Sequence, residues 1–363
     1  GHICPTDPFW MSFLAEKTEE LLRKVPDLSG IIASPATRES KVSISANQCN
    51  CRRCQNTTED AWYAAYIETL YRKLKKAGKR LIVRDFSYSV HSQDALLKAC
   101  EAIGDDIILA LKCVPHDFWP TFPNNPAVTR QTRLEKWIEY DTWGQYCGQG
   151  ILPCSLIDDI ISRHKFCLEN GSTGIWYRTD WEALDECSNF NTLNMVNLIG
   201  AAMHAKDPSC TPEEIFREWC RYGLSSGLTE ESVMQPPVIP SADTAWDTLQ
   251  TFMTRAYEIL IKTIYVKGHV FQYSSRYQHS YSAIENVMCV WHNRSDWDPE
   301  SAQILEATEE NYQTILEEKE QALKEAETLA AAFDFASLGL PEAFSKELNQ
   351  LLLLYPIYAE GFC

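Results

Sequence analysis

The stretch PHDFWPTFPNNPAVTRQTRLEKWIEYDTWGQYCGQG, residues 115–150, decides the fold, because acids, amides and aromatic rings are densest there. It follows an apolar run at residues 106–112 that has the length and composition of a buried strand. Lys112 and Asp117 are therefore expected at, or just beyond, the C-terminal end of that strand.

A second strand is predicted within the same stretch, at residues 133–141. It runs into a loop rich in glycine, glutamine and aromatic residues, which carries Asp141, Gln145 and Tyr146. The ends of neighbouring parallel strands face the same cleft, which is how barrel enzymes assemble a site from separate segments. The sequence thus predicts a site at the C-terminal edge of a parallel sheet.

Strand and helix patterns alternate through the first part of the chain, which predicts an α/β fold with a parallel sheet. The predicted strands lie near residues 30–34, 81–86, 107–112, 133–141 and 174–178. From about Ser226 the composition changes, and the chain after the proline-rich turn at 236–240 has helical patterns throughout. Two domains are expected: a (β/α) barrel portion at residues 1–225 and an all-helical C-terminal domain at residues 226–363.

Composition limits the class of protein. The 363 residues are 45% hydrophobic and 23% charged, as in an ordinary globular protein, and the net charge is −17. This acidity argues against nucleic acid or an anionic membrane as a partner, since both need a basic surface. No apolar run is long enough for a membrane span, and the first residues lack the pattern of a signal peptide. The expected location is cytoplasmic, or secreted if a signal segment was removed.

Three cysteines have the spacing of metal ligands, namely Cys49, Cys51 and Cys54. A structural zinc site needs a fourth ligand, and the sequence does not identify one; His91 and Cys100 are candidates that nothing places nearby. A thiol-rich or disulfide-tied loop is therefore the favoured interpretation. No metal and no cofactor is predicted.

Several short pieces resemble the xylan α-glucuronidases of glycoside hydrolase family 67. The pieces are residues 26–30, residues 84–88, Lys112 through Phe118, Glu139 through Gln149, and Asn197 through Trp219. The resemblance is patchy, yet the pieces occur in the family's order and at its spacings. It implies an inverting, exo-acting glycosidase on a (β/α)8 TIM-type barrel, of which the chain would hold strands four to eight, followed by helices. A uronic-acid-type or other anionic sugar from a plant or algal polysaccharide is the implied substrate.

The resemblance also implies roles for individual residues. Glu39 matches the general acid, and Asp117 matches one of two carboxylates that activate water. Arg84 and Lys112 match cations near the carboxylate of the sugar. Further substrate contacts are expected from residues in or beside the matching pieces: Glu139, Asp141, Trp143, Tyr146 and Asn197.

Gln145 departs from the family, because it occupies the position of the second carboxylate. Glutamine is nearly isosteric with glutamate but cannot accept a proton. The substitution leaves two explanations open: a natural variant that uses Asp117 or Asp141 as the base, or a sequence changed deliberately to trap substrate.

Three functions therefore compete: a glycoside hydrolase, a carbohydrate-binding protein that has lost catalysis, and a structural thiol or zinc protein built on the Cys49–Cys54 loop. A carbohydrate is the expected partner in the first two. A homodimer formed through the helical C-terminal domain is a further expectation.

Overall fold

A five-stranded parallel sheet forms the frame of the chain. The computed structural model describes residues 3–180, 188–222, 242–271, 277, 292–306, 308–340 and 342–363. The strands are β1 (Gly30–Ala33), β2 (Arg80–Arg84), β3 (Ile108–Lys112), β4 (Glu135–Asp141) and β5 (Gly174–Arg178). They pair in chain order, and every neighbouring pair is parallel. The five predicted strands and their parallel arrangement are confirmed.

Helices connect the strands and cover one face of the sheet. They are α1 (Pro8–Lys24), the single turn α2 (Arg52–Gln55), α3 (Glu59–Lys76), α4 (Val90–Ile103), α5 (Ile157–Glu169), α6 (Met195–Lys206) and α7 (Pro212–Tyr222). Helix α1 begins where the Asp7 side chain accepts a hydrogen bond from the Phe9 amide and Pro8 fixes the first turn. Parallel strands need such crossovers, because a tight turn cannot bring the chain back to the same end of the sheet.

The described residues beyond position 241 are mainly helical, as the sequence predicts. The helices there are α8 (Ala242–Ile264), the short α9 (Arg294–Trp297) and α10 (Ser301–Ile304), α11 (Glu309–Ala332) and α12 (Glu342–Glu360). The coarse architecture, a partial barrel followed by helices, is thus confirmed. The predicted domain boundary at residues 225 and 226 lies outside the described residues. Buried apolar side chains of both parts belong to one continuous core, from Ala33 to Ala359. None of the described helices could span a bilayer.

The two faces of the sheet differ in chemistry because successive side chains of a strand point to opposite faces. One face packs Val83, Leu109 and Ile138 into the main core beneath the helices. The other face, here called the concave face, carries a small apolar cluster in which Ile82, Ile108 and Ala110 contact Trp137 and Trp176. Strand register places charged residues on the concave face next to this cluster, including Arg84, Lys112 and Glu139.

Candidate active site

Asp117 forms a buried ion pair with Lys112 just beyond the C-terminal end of β3. The Lys112 ammonium is 3.1 Å from Oδ1 of Asp117 and also donates to the His116 carbonyl at 2.7 Å. Only 1% of Lys112 and 5% of Asp117 is exposed. The Lys112 ammonium also lies 3.9 Å from the Phe86 ring centroid, a cation–π contact. The last residue of a strand and the loop after it thus place two opposite charges side by side, out of contact with solvent.

A short hydrogen-bond relay connects Asp117 to Gln145 across the ends of β3 and β4. Tyr146 donates its hydroxyl proton to Oδ2 of Asp117, and the Gln145 side-chain amide donates to the Tyr146 oxygen at 3.1 Å. The carbonyl oxygen of Gln145 is buried and has no hydrogen-bond partner among the described residues. The relay therefore ends in an acceptor that a water or a ligand hydroxyl would satisfy.

The loop after β4 is held by Asp141. Its carboxylate accepts from the backbone amides of Trp143 at 3.0 Å and Gln145 at 2.8 Å. Burial raises the pKa of Asp141 to about 6, although the Gln145 amide and Arg178 oppose this shift. Because both carboxylate oxygens are used by the loop backbone, Asp141 positions Gln145.

Arg84 and Glu139 form a bidentate ion pair on the concave face. Nε and Nη2 of Arg84 donate to the two Glu139 oxygens at 2.7 and 2.9 Å. The side chains are 18% and 7% exposed, respectively. Arg84 also lies over the ring of Trp176. The two cations expected to meet a sugar carboxylate, Arg84 and Lys112, thus already have carboxylate partners within the chain.

Aromatic and imidazole rings surround the Lys112–Asp117 pair. His116 lies between Phe86 and Trp119, and its Nε2 is 2.6 Å from Nδ1 of His292. The Tyr88 ring is tilted against that of His116, with the centroids 4.3 Å apart, and is stacked with that of His292 at 6.0 Å. His116 adopts a left-handed backbone conformation, with φ of 62°; for a residue other than glycine this conformation is uncommon and is found frequently at functional sites.

The electrostatics of this cluster keep Asp117 ionised. Burial alone would raise its pKa, but the Lys112 charge, with His116 and the Tyr146 hydroxyl, outweighs burial and holds the pKa of Asp117 well below its usual range. Burial lowers the pKa of His116 to about 3 and that of His292 to about 4. Near neutral pH the site therefore contains a carboxylate beside two neutral imidazoles.

Several buried polar atoms without a hydrogen-bond partner lie in the strands or in the loops that follow them. Half of the ten such atoms in the described part of the chain lie in or just after the strands: Ser87 Oγ, Gln145 Oε1, Gln149 Oε1, Trp176 Nε1 and Arg178 Nε. Ser87 follows β2, the two glutamines follow β4, and the last two residues belong to β5. Buried polar groups are nearly always hydrogen-bonded, so such a group needs an explanation. A ligand or ordered water beside these atoms would provide one.

Two of the predicted substrate contacts are placed in the protein interior. Trp143 is fully buried, and a side chain at Gly150 would collide with its ring. Asn197, on α6, accepts from the Leu156 amide at 2.8 Å and donates to the Cys154 carbonyl at 3.1 Å. Both residues therefore support the loops that follow β4.

Glu39 lies in the loop that follows β1, at the same edge of the sheet as Asp117. It is exposed, unlike the buried Asp117. The guanidinium carbon of the preceding residue, Arg38, lies 5.1 Å from the centroid of the Tyr88 ring. This contact brings the β1 loop to the rim of the aromatic cluster. That Glu39 and Asp117 open on one face of the sheet stays a prediction.

The structure adds residues that the sequence analysis missed. His116 could have been found, because it adjoins Asp117 directly after a strand. Phe86 and Tyr88 lie within residues 84–88, one of the pieces that resemble family 67, but nothing marked them individually. Arg38 lies in the loop after β1 and carried no distinguishing signal. His292 could not have been found, since it lies 176 residues from the histidine it contacts.

Four cysteines gather elsewhere, on the N-terminal segment and the loop between β1 and α3. Cys4 joins Cys49, Cys51 and Cys54, and their four sulfur atoms lie within 4.8 Å of one another. Cys4 therefore completes this group, and neither His91 nor Cys100 does. All four residues are free thiols, so of the two states predicted for this loop, thiol-rich or disulfide-tied, the structure shows the thiol-rich one.

Comparison with known proteins supports the fold. No family model and no curated protein matches the chain. A solved structure described as a GH138 enzyme targeting pectin rhamnogalacturonan II is similar, with a TM-score of 0.53 and 11% sequence identity. The match covers 99% of this chain and 42% of the other, so the chain spans less than half of the length of that enzyme. The chain therefore shares the fold of part of that enzyme.

Proposed function

We propose that the chain forms the active-site portion of a glycoside hydrolase. The observation that carries the proposal is a set of five unsatisfied buried polar atoms in the strands or in the loops that follow them. One of them, Gln145 Oε1, belongs to the residue that is linked through Tyr146 to the ionised Asp117. The set contains acceptors, from Gln145 and Gln149, and donors, from Trp176 and Arg178. A sugar hydroxyl both donates and accepts, so a polyhydroxylated ligand would satisfy both kinds. The glycoside hydrolase-like fold supports the same reaction class.

The proposed roles follow the chemistry of glycoside cleavage by inversion. That reaction needs a protonated carboxyl for the leaving oxygen and an ionised carboxylate beside the attacking water. Glu39, on the loop after β1, is proposed as the acid, because it matches the general acid in the resemblance to family 67. Asp117 is proposed as the ionised carboxylate, and Gln145 is proposed to accept a hydrogen bond from the water through its free carbonyl oxygen. Inversion and exo action rest on the resemblance to family 67.

The substrate proposed here is a hydroxyl-rich plant or algal sugar. A uronic acid remains the more specific proposal from the resemblance. The ion pairs of Arg84 with Glu139 and of Lys112 with Asp117 weigh against it, because a sugar carboxylate would have to compete with a carboxylate of the protein. The hydroxyl groups of a neutral sugar could instead form hydrogen bonds with both Arg84 and Glu139.

Gln145 favours a second candidate function, a carbohydrate-binding protein with impaired catalysis. A glutamine amide can orient water but cannot remove its proton. The low pKa of Asp117 also makes it a weak base, because basicity falls with pKa. Both observations predict sugar binding with slow turnover in the chain as it stands.

Gln145→Glu tests the two candidates. A glutamate there would be buried near the charged Asp117, and both effects raise a carboxyl pKa toward the range of an efficient base. We expect hydrolysis of a bound plant oligosaccharide to rise about 10² to 10⁴-fold, the usual contribution of a positioned base. Gln131→Glu is the matched control, since it makes the same change at an exposed glutamine outside the proposed site.

The assay combines calorimetric binding with product analysis by NMR, which also reports whether the anomeric configuration inverts. Catalysis would be assigned to Asp117 if the sugar binds, Gln145→Glu does not raise the rate of hydrolysis, and Asp117→Asn abolishes it. Absence of binding to any neutral or acidic plant oligosaccharide would refute the proposed function.

A further inference from the structure

The N-terminal segment and the loop after β1 meet at a cluster of four thiols. Cys4 precedes α1, Cys49 and Cys51 lie in the loop, and Cys54 lies in the single-turn α2. We call these residues the four-cysteine cluster. The sulfur of Cys4 is 3.6 Å from that of Cys51 and 3.5 Å from that of Cys54. The cluster thus joins two segments that are about fifty residues apart in sequence.

The sulfur separations match a metal-bound geometry. Four sulfurs placed about 2.3 Å from a central zinc ion, at the corners of a tetrahedron, lie about 3.8 Å from one another. The two observed distances are close to this value, and the whole cluster fits within 4.8 Å. A disulfide would instead hold two sulfurs about 2.05 Å apart, and all four residues are free thiols.

Donor groups around the cluster suit bound thiolates. The Thr6 hydroxyl lies 3.2 Å from the Cys54 sulfur and 3.3 Å from the Cys4 sulfur. The Arg53 guanidinium lies 4.0 Å from the Cys4 sulfur. A zinc ion with four thiolates carries a net charge of −2, so a nearby cation and hydroxyl stabilise it, as outer-shell partners do in other metal sites.

The backbone around the cluster is fixed by other contacts. The indole of Trp10 donates to the Cys4 carbonyl at 3.1 Å, and the indole of Trp62 donates to the Pro5 carbonyl at 2.9 Å. Asn47 accepts from the Cys49 amide at 2.8 Å. The thiols therefore converge on a backbone that is already ordered by α1 and α3.

We propose that the four-cysteine cluster binds one structural Zn²⁺ ion. Four protein ligands close the coordination sphere, which is the arrangement of structural rather than catalytic zinc sites. Binding releases the thiol protons and contributes to folding free energy. The ion would tie the N-terminal segment to residues 35–56, the loop that carries Glu39. Ser43 strengthens this loop, since its hydroxyl donates to the Pro35 carbonyl at 2.6 Å.

The test measures metal content in the whole chain, purified under reducing conditions without chelators and reconstituted with zinc chloride. We expect one zinc per chain by plasma mass spectrometry and less than a tenth of an equivalent of iron. X-ray absorption at the zinc edge should show four sulfur ligands at about 2.3 Å. Iron in place of zinc, nitrogen or oxygen ligands, or no tightly bound metal would overturn the proposal.

A matched pair of variants locates the site. Cys51→Ser should lower bound zinc at least tenfold, whereas Cys363→Ser, at an exposed cysteine outside the cluster, should leave it at one equivalent. Equal zinc in Cys51→Ser and Cys363→Ser would contradict the assignment. Should Cys51→Ser fail to fold, the absorption spectrum of the unaltered chain still decides the question. Removal of zinc by a chelator should also raise amide exchange in residues 35–56 at least tenfold; unchanged exchange would refute the structural role.

Discussion

The Lys112–Asp117 pair supports one prediction in depth, because it separates a structural from a catalytic role for Asp117. In Asp117→Asn the side chain keeps its size but loses its charge, so the Lys112 ammonium stays buried without a counter-ion. Breaking a buried ion pair by removing one partner costs about 3 to 5 kcal/mol. Lys112 would keep its hydrogen bond to the His116 carbonyl and its cation–π contacts with Phe86 and Phe118. We therefore expect a loss of unfolding free energy at the lower end of this range, about 3 kcal/mol.

A second substitution removes the orphaned charge. Lys112→Met fills similar volume, and replacing a buried ion pair by apolar groups is often nearly neutral. We therefore expect the Asp117→Asn/Lys112→Met double variant to recover most of the stability that Asp117→Asn loses. A coupling energy of about 2 kcal/mol between the two sites would be within the range seen for contacting residues.

The assay is denaturant unfolding of the parent chain, both single variants and the double variant, with oligosaccharide hydrolysis measured on each. Stability should recover in the double variant while hydrolysis stays at the level of Asp117→Asn, if Asp117 acts in the reaction. Recovery of both would show that Asp117 acts only through stability. A loss below about 1 kcal/mol in Asp117→Asn would refute the electrostatic reasoning itself.

Three further predictions follow from the contacts. Arg84→Gln should weaken binding of acidic and neutral oligosaccharides to a similar degree, because the Arg84 charge is paired with Glu139. Affinities measured by calorimetry test this, and a loss of affinity confined to acidic sugars would restore the uronic-acid interpretation. His116 and His292 have pKa values lowered by burial to about 3 and about 4, while an unfolded histidine titrates near 6.5. The unfolded chain therefore binds more protons than the folded chain below that pH, and stability should fall as pH drops from about 6.5 toward about 4. The melting temperature of His292→Asn should depend less steeply on pH in this window. A slope equal to that of the parent chain would contradict the lowered pKa of His292. Asn197→Ala should cost about 2 to 4 kcal/mol of unfolding free energy, because it leaves the Leu156 amide and the Cys154 carbonyl buried without partners; an unaltered stability with weaker sugar binding would return Asn197 to the substrate site.

The sequence alone determined the local architecture. Apolar runs bounded by turn residues located all five strands, and their alternation with helices predicted a parallel sheet, which in turn placed the loops after β3 and β4 at one edge. These inferences succeed because strand and helix periodicities are local properties of the chain. Asp117 and Gln145 could be selected for the same reason, since each follows a recognisable strand end.

Only the tertiary structure decided which side chains meet. Arg84 and Glu139 are 55 residues apart, and strand register makes them an ion pair. His292 reaches His116 from the C-terminal region, and Cys4 supplies the fourth thiol from the opposite end of the chain. Such pairings depend on how distant segments pack, which no local pattern encodes. The charges of Arg84 and Lys112 were visible in the sequence, but only packing revealed that carboxylates of the protein already neutralise them.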